Sequence, residues 1–220
     1  MMARRGVMGA MVAVVGVAVL WRCSLNSSLR YKMVVEVDTP QGVKSGFAVR
    51  EMGFNTDNIV RPATGSLKGE AVAVDLPGGQ TLFALLTGGD GDVDYAMQIG
   101  GRAGVWESSG PVELYPVAPN TVGLQRTDPL PMLARFGDVR DPKSVERVEL
   151  GVLDQTFGPG VRLRRITIEK TRESVTVGIG KRLGWLNDST VMNNPGWVSL
   201  PLESRLVING LFAGTIGERK

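Results

Sequence analysis

The sequence predicts a mainly β protein. An N-terminal transmembrane helix over residues 1–25 precedes one β-rich domain over residues 26–220, built as a sandwich or half-open barrel with a short helical insertion. Three observations carry this expectation. Gly6 to Trp21 is an uncharged run set between Arg4-Arg5 and Arg22. Two pairs of strand-length segments are each folded back by a turn bearing Pro and Gly, one at Thr39 to Gly42 and one at Pro77 to Gln80. Pro111, Pro116, Pro119, Pro129 and Pro131 deny the middle of the chain a long helix.

The apolar run spans roughly 24 Å as a helix at about 1.5 Å per residue, against a hydrocarbon core of about 30 Å. Extending the helix through Leu25, with Arg22 snorkelling, closes the gap and leaves Trp21 at the interface. An uncleaved signal-anchor is favoured. A cleaved signal needs small residues at its processing site, and Val19-Leu20-Trp21-Arg22-Cys23 has no such pattern. A lipoprotein signal needs a small residue before the cysteine, where Arg22 stands. Arg4-Arg5 matches a twin-arginine signal only in that pair. Positive charges on the two sides of the run nearly balance, and the short N-terminal tail favours a cytoplasmic N-terminus. The expected location is therefore the bacterial inner membrane, single-pass, with the domain in the periplasm; cleavage and export is the alternative. Gly9 and Ala13 are spaced for helix pairing, though simple membrane filler explains them better.

Tyr31 to Asp38 is rich in β-branched residues. Thr39-Pro40-Gln41-Gly42 then places Pro and Gly as in a type II turn, with Gly42 expected at positive φ or beside a bulge, and Val43 to Met52 returns. Gly53 to Ser66 reads as a loop. Gly69 to Leu76, the turn Pro77-Gly78-Gly79-Gln80 and Thr81 to Leu86 form a second hairpin, whose last strand is apolar enough to be buried on both faces. Gly88 to Gly104 is glycine-rich and irregular. Val112 to Tyr115 and Met132 to Phe136 are short strands. The one helix expected in the domain lies near Glu149 to Phe157, stopped by Gly158-Pro159-Gly160. Val161 to Lys170 is a strand whose apolar parity shifts from odd (Val161, Leu163) to even (Ile166, Ile168), so a β-bulge near Arg164-Arg165 keeps all four on one face. Val175 to Ile179 and Arg205 to Phe212 are further strand candidates, the second with a short helix as its alternative.

Composition limits the chemistry. The net charge is +3, which Arg4, Arg5 and Arg22 supply, so the rest of the chain is neutral by count and lacks the basic excess of a nucleic-acid binder. There is no histidine, and Cys23 is the only cysteine. Ser-His-Asp and Cys-His mechanisms in their usual form are excluded, as are ordinary zinc sites and a disulfide within the domain. No cofactor, metal or catalytic residue is assigned.

Few motifs survive inspection. Asp90-Gly91-Asp92-Val93-Asp94 begins like a calcium loop, but Tyr95 and Gly101 stand where an EF-hand has Gly and Glu. A solvated turn explains it better. Gly178-Ile179-Gly180-Lys181-Arg182 lacks the first Gly and the Ser/Thr of a phosphate loop. Arg162, Arg164 and Arg165 are the core of the densest basic stretch, with Arg140, Lys143 and Arg147 upstream. They are candidates for contact with a partner or lipid headgroups, though a salt-bridged strand face explains them better. Lys181, Arg182 and Trp185 form a second such candidate, against burial of Trp185 with cations at its rim.

The Arg-bearing anchor, RYKMVVEVDTPQGVKSG, RFGDVRDPKSVERV, FGPGVRLRRITIE and GIGKRLGWL together resemble a group of uncharacterised proteobacterial proteins. Those proteins are small and membrane-anchored and have no assigned activity. The resemblance implies membrane attachment and a bacterial source, and no mechanism. The expected function is a binding or scaffolding subunit of an envelope complex, with the membrane and an envelope protein as partners. The alternative is a histidine-free, carboxylate-dependent hydrolase of cell-wall glycan.

Overall fold

A computed structural model of the chain describes residues 27–55, 64–114, 129–187 and 201–213. The expected anchor over residues 1–25, Cys23 included, lies outside them. Among the described residues no helix is long and apolar enough to cross a membrane. The strands are β1 (Ser27–Asp38), β2 (Lys44–Asn55), β3 (Thr64–Glu70), β4 (Val72–Asp75), β5 (Thr81–Gly88), β6 (Val112–Leu114), β7 (Pro131–Phe136), β8 (Val145–Val148), β9 (Arg162–Lys170) and β10 (Phe212–Ala213). The helices are α1 (Tyr95–Arg102), α2 (Leu153–Phe157), α3 (Ile179–Arg182) and α4 (Leu202–Asn209). Two antiparallel sheets result, one ordered β10-β3-β2-β1-β9-β6 and the other β4-β5-β7-β8.

Strand alternation builds the core between them. β1 turns Tyr31, Met33, Val35 and Val37 inward, where they meet Val72 and Val74 of β4 and Leu82, Ala84 and Leu86 of β5. β5 is buried on both faces, as its apolar run requires. Its other face, Phe83 and Leu85, joins Met132 and Phe136 of β7 in a second core, covered by Leu183, Trp185 and the α4 residues Val207 and Ile208. The molecule thus has three layers: sheet, sheet and a thin helical cover. Only Ala71 separates β3 from β4, so the chain crosses there from one sheet to the other. This is the two-sheet form of the expected architecture.

Both early hairpins form, with one change in the first turn. The Gly42 N–H donates to Thr39 O at 2.9 Å. No described residue other than glycine has positive φ, so Gln41 does not take the left-handed conformation that a type II turn demands. Gly42 takes it instead, at φ 96°, which makes a type I turn followed by a glycine bulge. Gly42→Val is accordingly expected to cost about 1 kcal/mol or more, since a β-branched residue resists φ > 0. An added Cβ meets nothing within 4 Å there, so the loss reports backbone strain alone. The urea midpoint of the fragment beginning at Asn26 measures it, and an unchanged midpoint would remove the strained turn.

The bulge in β9 is present. Glu36 pairs with Arg165 and Val37 with Leu163, leaving Arg164 as the extra residue. Val161, Ile166 and Ile168 are buried together, with Leu163 packed against them.

Several expectations need correction. β3 was expected as loop up to Ser66; TGSLKGE offers one large apolar residue, Leu67, and becomes a strand by pairing with β2. The glycine-rich stretch contains α1, which folds as a helix because the rest of the molecule holds it. Tyr31 Oη donates to Ala96 O at 2.8 Å, and at Gly100 the missing side chain makes room for Trp106, whose Cζ2 would lie 2.2 Å from an added Cβ. α2 is therefore not the only helix of the domain. Val175 to Ile179 is not a strand: Thr176 closes the side of β2 past the end of β3, its N–H donating to Val49 O at 3.2 Å, and α3 begins at Ile179. Arg205 to Phe212 follows the helical alternative, since it lies largely in α4 and ends at β10.

Candidate binding groove beside strand β9

β9 lies between β1 and β6, whose described residues end at Leu114. Its pairs run only from Val112 opposite Ile168 to Leu114 opposite Ile166. From Arg162 to Arg165 the β9 edge opposite β1 has no strand partner among the described residues.

The phase of the ladder decides which groups that edge presents. The Thr171 N–H donates to Arg30 O at 3.1 Å, so odd-numbered residues from 165 to 171 bond toward β1 and even-numbered ones toward β6. The bulge at Arg164 resets this phase. Beyond it Arg162 pairs with Asp38, and the backbone N–H and C=O of Leu163 turn away from β1, to the side that has no strand partner among the described residues.

A cavity of about 550 Å³ lies beside this edge. Its floor is apolar: Leu114 of β6, Leu130 before β7, Leu153 of α2, then Val161, Leu163 and Ile166. Its rim is charged by Glu113, Asp154, Arg162, Arg164 and Arg165. α2 keeps its place at the rim partly through β7, because Arg135 Nη1 donates to Thr156 O at 3.2 Å.

The three arginines are not equivalent. Arg164 Nη1 meets Asp38 Oδ1 at 3.0 Å. Arg165 is hydrogen-bonded to Glu36, which raises its guanidinium pKa above the usual arginine value; the charge of Glu113 adds a smaller contribution. Arg162 is exposed, and its side chain makes no ion pair or hydrogen bond among the described residues. Glu113 and Asp154 are the carboxylates of the cavity, and Asp154 Oδ1 accepts the Gln155 N–H at 2.8 Å. An open strand edge over an apolar floor with a charged rim is suited to holding an extended chain.

The structure places the other selected residues in a different layer. Arg182 grips Asp75 through both oxygens, at 2.5 and 2.7 Å. That hydrogen-bonding holds the Asp75 carboxyl below the ordinary carboxylate range. Trp185 is buried, packs 5.8 Å from Phe136 and donates Nε1–H to Val139 O at 2.9 Å. Lys181 is exposed beside them. Thus Lys181, Arg182 and Trp185 do not share a surface with the β9 arginines. In the acidic loop, Asp90 and Asp92 each accept a backbone N–H two residues on, and Arg102 pairs with Asp92 at 3.0 Å. Among the described residues no three metal-ligating side chains gather at one point.

Sequence reasoning selected the β9 arginines but not Glu113, Leu114, Leu130, Leu153 or Asp154. The available signal was the parity shift in β9. No family model matches this chain, and neither a curated protein nor a solved structure matches it.

Proposed function

We propose that this chain is a single-pass, membrane-anchored envelope protein whose β-rich domain binds an extended segment of another envelope protein by strand addition to β9. The observation that carries this reading is the outward-facing backbone of Leu163 beside an apolar-floored groove. Strand addition draws affinity from main-chain hydrogen bonds and specificity from pockets for alternate side chains. The uncharged run Gly6 to Trp21 and its flanking arginines support the anchor.

Two experiments test the two halves. Leu163→Pro deletes the outward N–H and leaves an apolar side chain at a position whose N–H has no ladder partner among the described residues, where proline is tolerated. A partner purified with the wild-type chain from solubilised membranes is expected to be lost from this variant and kept by Arg140→Ala, a change at a side chain 87% exposed and away from the groove. Equal recovery from both variants would sink strand addition. For the anchor, the full-length protein is expected to stay in the membrane pellet after carbonate washing; a soluble form beginning at or beyond Cys23 would overturn it.

The hydrolase alternative is favoured by one feature, the presence of Glu113 and Asp154 in the same cavity. Release of glycan fragments by the purified chain, lost in Glu113→Gln, would replace the binding reading.

A further inference from the structure

We infer that the strand received by β9 alternates apolar and acidic residues, with its apolar side chains turned into the groove and its carboxylates turned toward Arg162 and Arg164. The inference rests on the strand-addition reading and concerns the chemistry of the partner.

The alternation follows from the edge itself. A strand laid beside Leu163 presents successive side chains to opposite faces of the sheet. One set falls on the side of Leu114, Leu153 and Leu163, which is apolar. The other set falls on the side where Arg162 and Arg164 are exposed. Arg162 has no carboxylate partner among the described residues, and Arg164 uses one nitrogen on Asp38 while its side chain stays 49% exposed. A guanidinium offers five N–H donors, so both residues keep donors for an incoming carboxylate. Glu113 lies toward Arg165 rather than Arg162, because it is paired on β6 with Thr167 and contributes to the Arg165 shift. Asp154, in α2 across the groove, disfavours an inward-facing acid near it.

Charge also argues against a second copy of this chain on the same edge. Two β9 edges paired about a twofold axis set Arg162 and Arg164 of one against the same arginines of the other. Like charges directly opposite in a sheet are destabilising. A lysine-bearing strand meets the same repulsion.

The test uses the full chain in detergent micelles and short fluorescent peptides that alternate valine with glutamate, glutamine or lysine. The glutamate peptide is expected to bind roughly tenfold tighter than the glutamine peptide, with the lysine peptide weakest and the differences shrinking in high salt. Arg162→Glu is expected to invert the order of the glutamate and lysine peptides, whereas Arg140→Glu leaves it unchanged. Equal binding by all three peptides, abolished by Leu163→Pro, would overturn the acidic partner while strand addition stands. Binding by none of them would overturn strand addition as well. A concentration-dependent dimer that Leu163→Pro abolishes would put a second copy on the edge and overturn the inference. Circular dichroism of each variant separates these outcomes from misfolding.

Discussion

Gly46→Ala is expected to destabilise the domain by about 3 kcal/mol, at the upper end of what overpacking costs. Gly46 lies on β2 with the inward parity of Ala48, facing β4. A Cβ added there would sit 2.1 Å from the Ala73 carbonyl oxygen and 2.9 Å from its carbon. These are backbone atoms of a strand whose residues Val72 to Asp75 pair with Ala84 to Thr81 on β5. They cannot swing aside as a side chain does, so relief requires the two sheets to part and the core between them to loosen. Gly184→Ala is the control. Gly184 is exposed, and an added Cβ meets nothing within 4 Å, so the change should fall within about 0.5 kcal/mol of wild type. Urea midpoints of the two variants give the comparison. If Gly46→Ala is as mild as the control, the sheets do not approach at this corner.

Arg50→Ala is expected to cost about 3 to 5 kcal/mol, the range for breaking a buried charged network or emptying a large core site. Arg50 is on β2 and has no exposed surface. Its guanidinium is held by neutral oxygens: Nε donates to Glu70 O at 3.2 Å, and Nη2 to Ala84 O and Leu85 O at 3.4 and 3.3 Å. The Tyr31 ring centre lies 5.9 Å from the guanidinium carbon, in range of a cation–π contact. Burial pushes the Tyr31 hydroxyl pKa up, and Arg50 pulls it part of the way back. The residue therefore ties β2, β3 and β5 to one point in the core. It also leaves no room for a side chain at Gly69, where an added Cβ would come within 2.8 Å of Arg50 Cγ. Arg50→Met restores most of the volume without the charge, so its cost should be smaller, about 1 to 2 kcal/mol. Should the methionine variant be as damaged as the alanine variant, hydrogen bonding rather than packing dominates at this site. Should neither be destabilised, Arg50 is not a structural tie.

Much of the β framework was legible in the sequence wherever a local rule was sufficient. Pro and Gly between apolar runs marked both hairpins, because few residues tolerate the backbone conformations such turns need. The parity change in VRLRRITIEK marked the β9 bulge, because side chains alternate strictly along a strand. The burial of β5 on both faces followed from its unbroken apolar run.

The rest depended on partners far away in the chain. β3 has one large apolar residue and becomes a strand only because β2 supplies a ladder. α1 contains Gly100 and Gly101, which weaken a helix in isolation; Tyr31 and Trp106 hold it in the folded molecule. The groove is made by Leu114, Leu130, Leu153 and Leu163, residues drawn from four separate segments, and no local pattern relates them. The arginines of β9 were visible as a basic stretch, but which of them are ion-paired was not. Arg164 and Arg165 are paired with Asp38 and Glu36, residues more than a hundred positions earlier. The sequence by itself therefore determined the positions of the turns, the strand phases and the absence of histidine chemistry, all of which follow from residue identity and local spacing. Tertiary structure alone decided which edge has no strand partner among the described residues and which arginines of β9 are ion-paired, because both depend on pairing between strands distant in the chain.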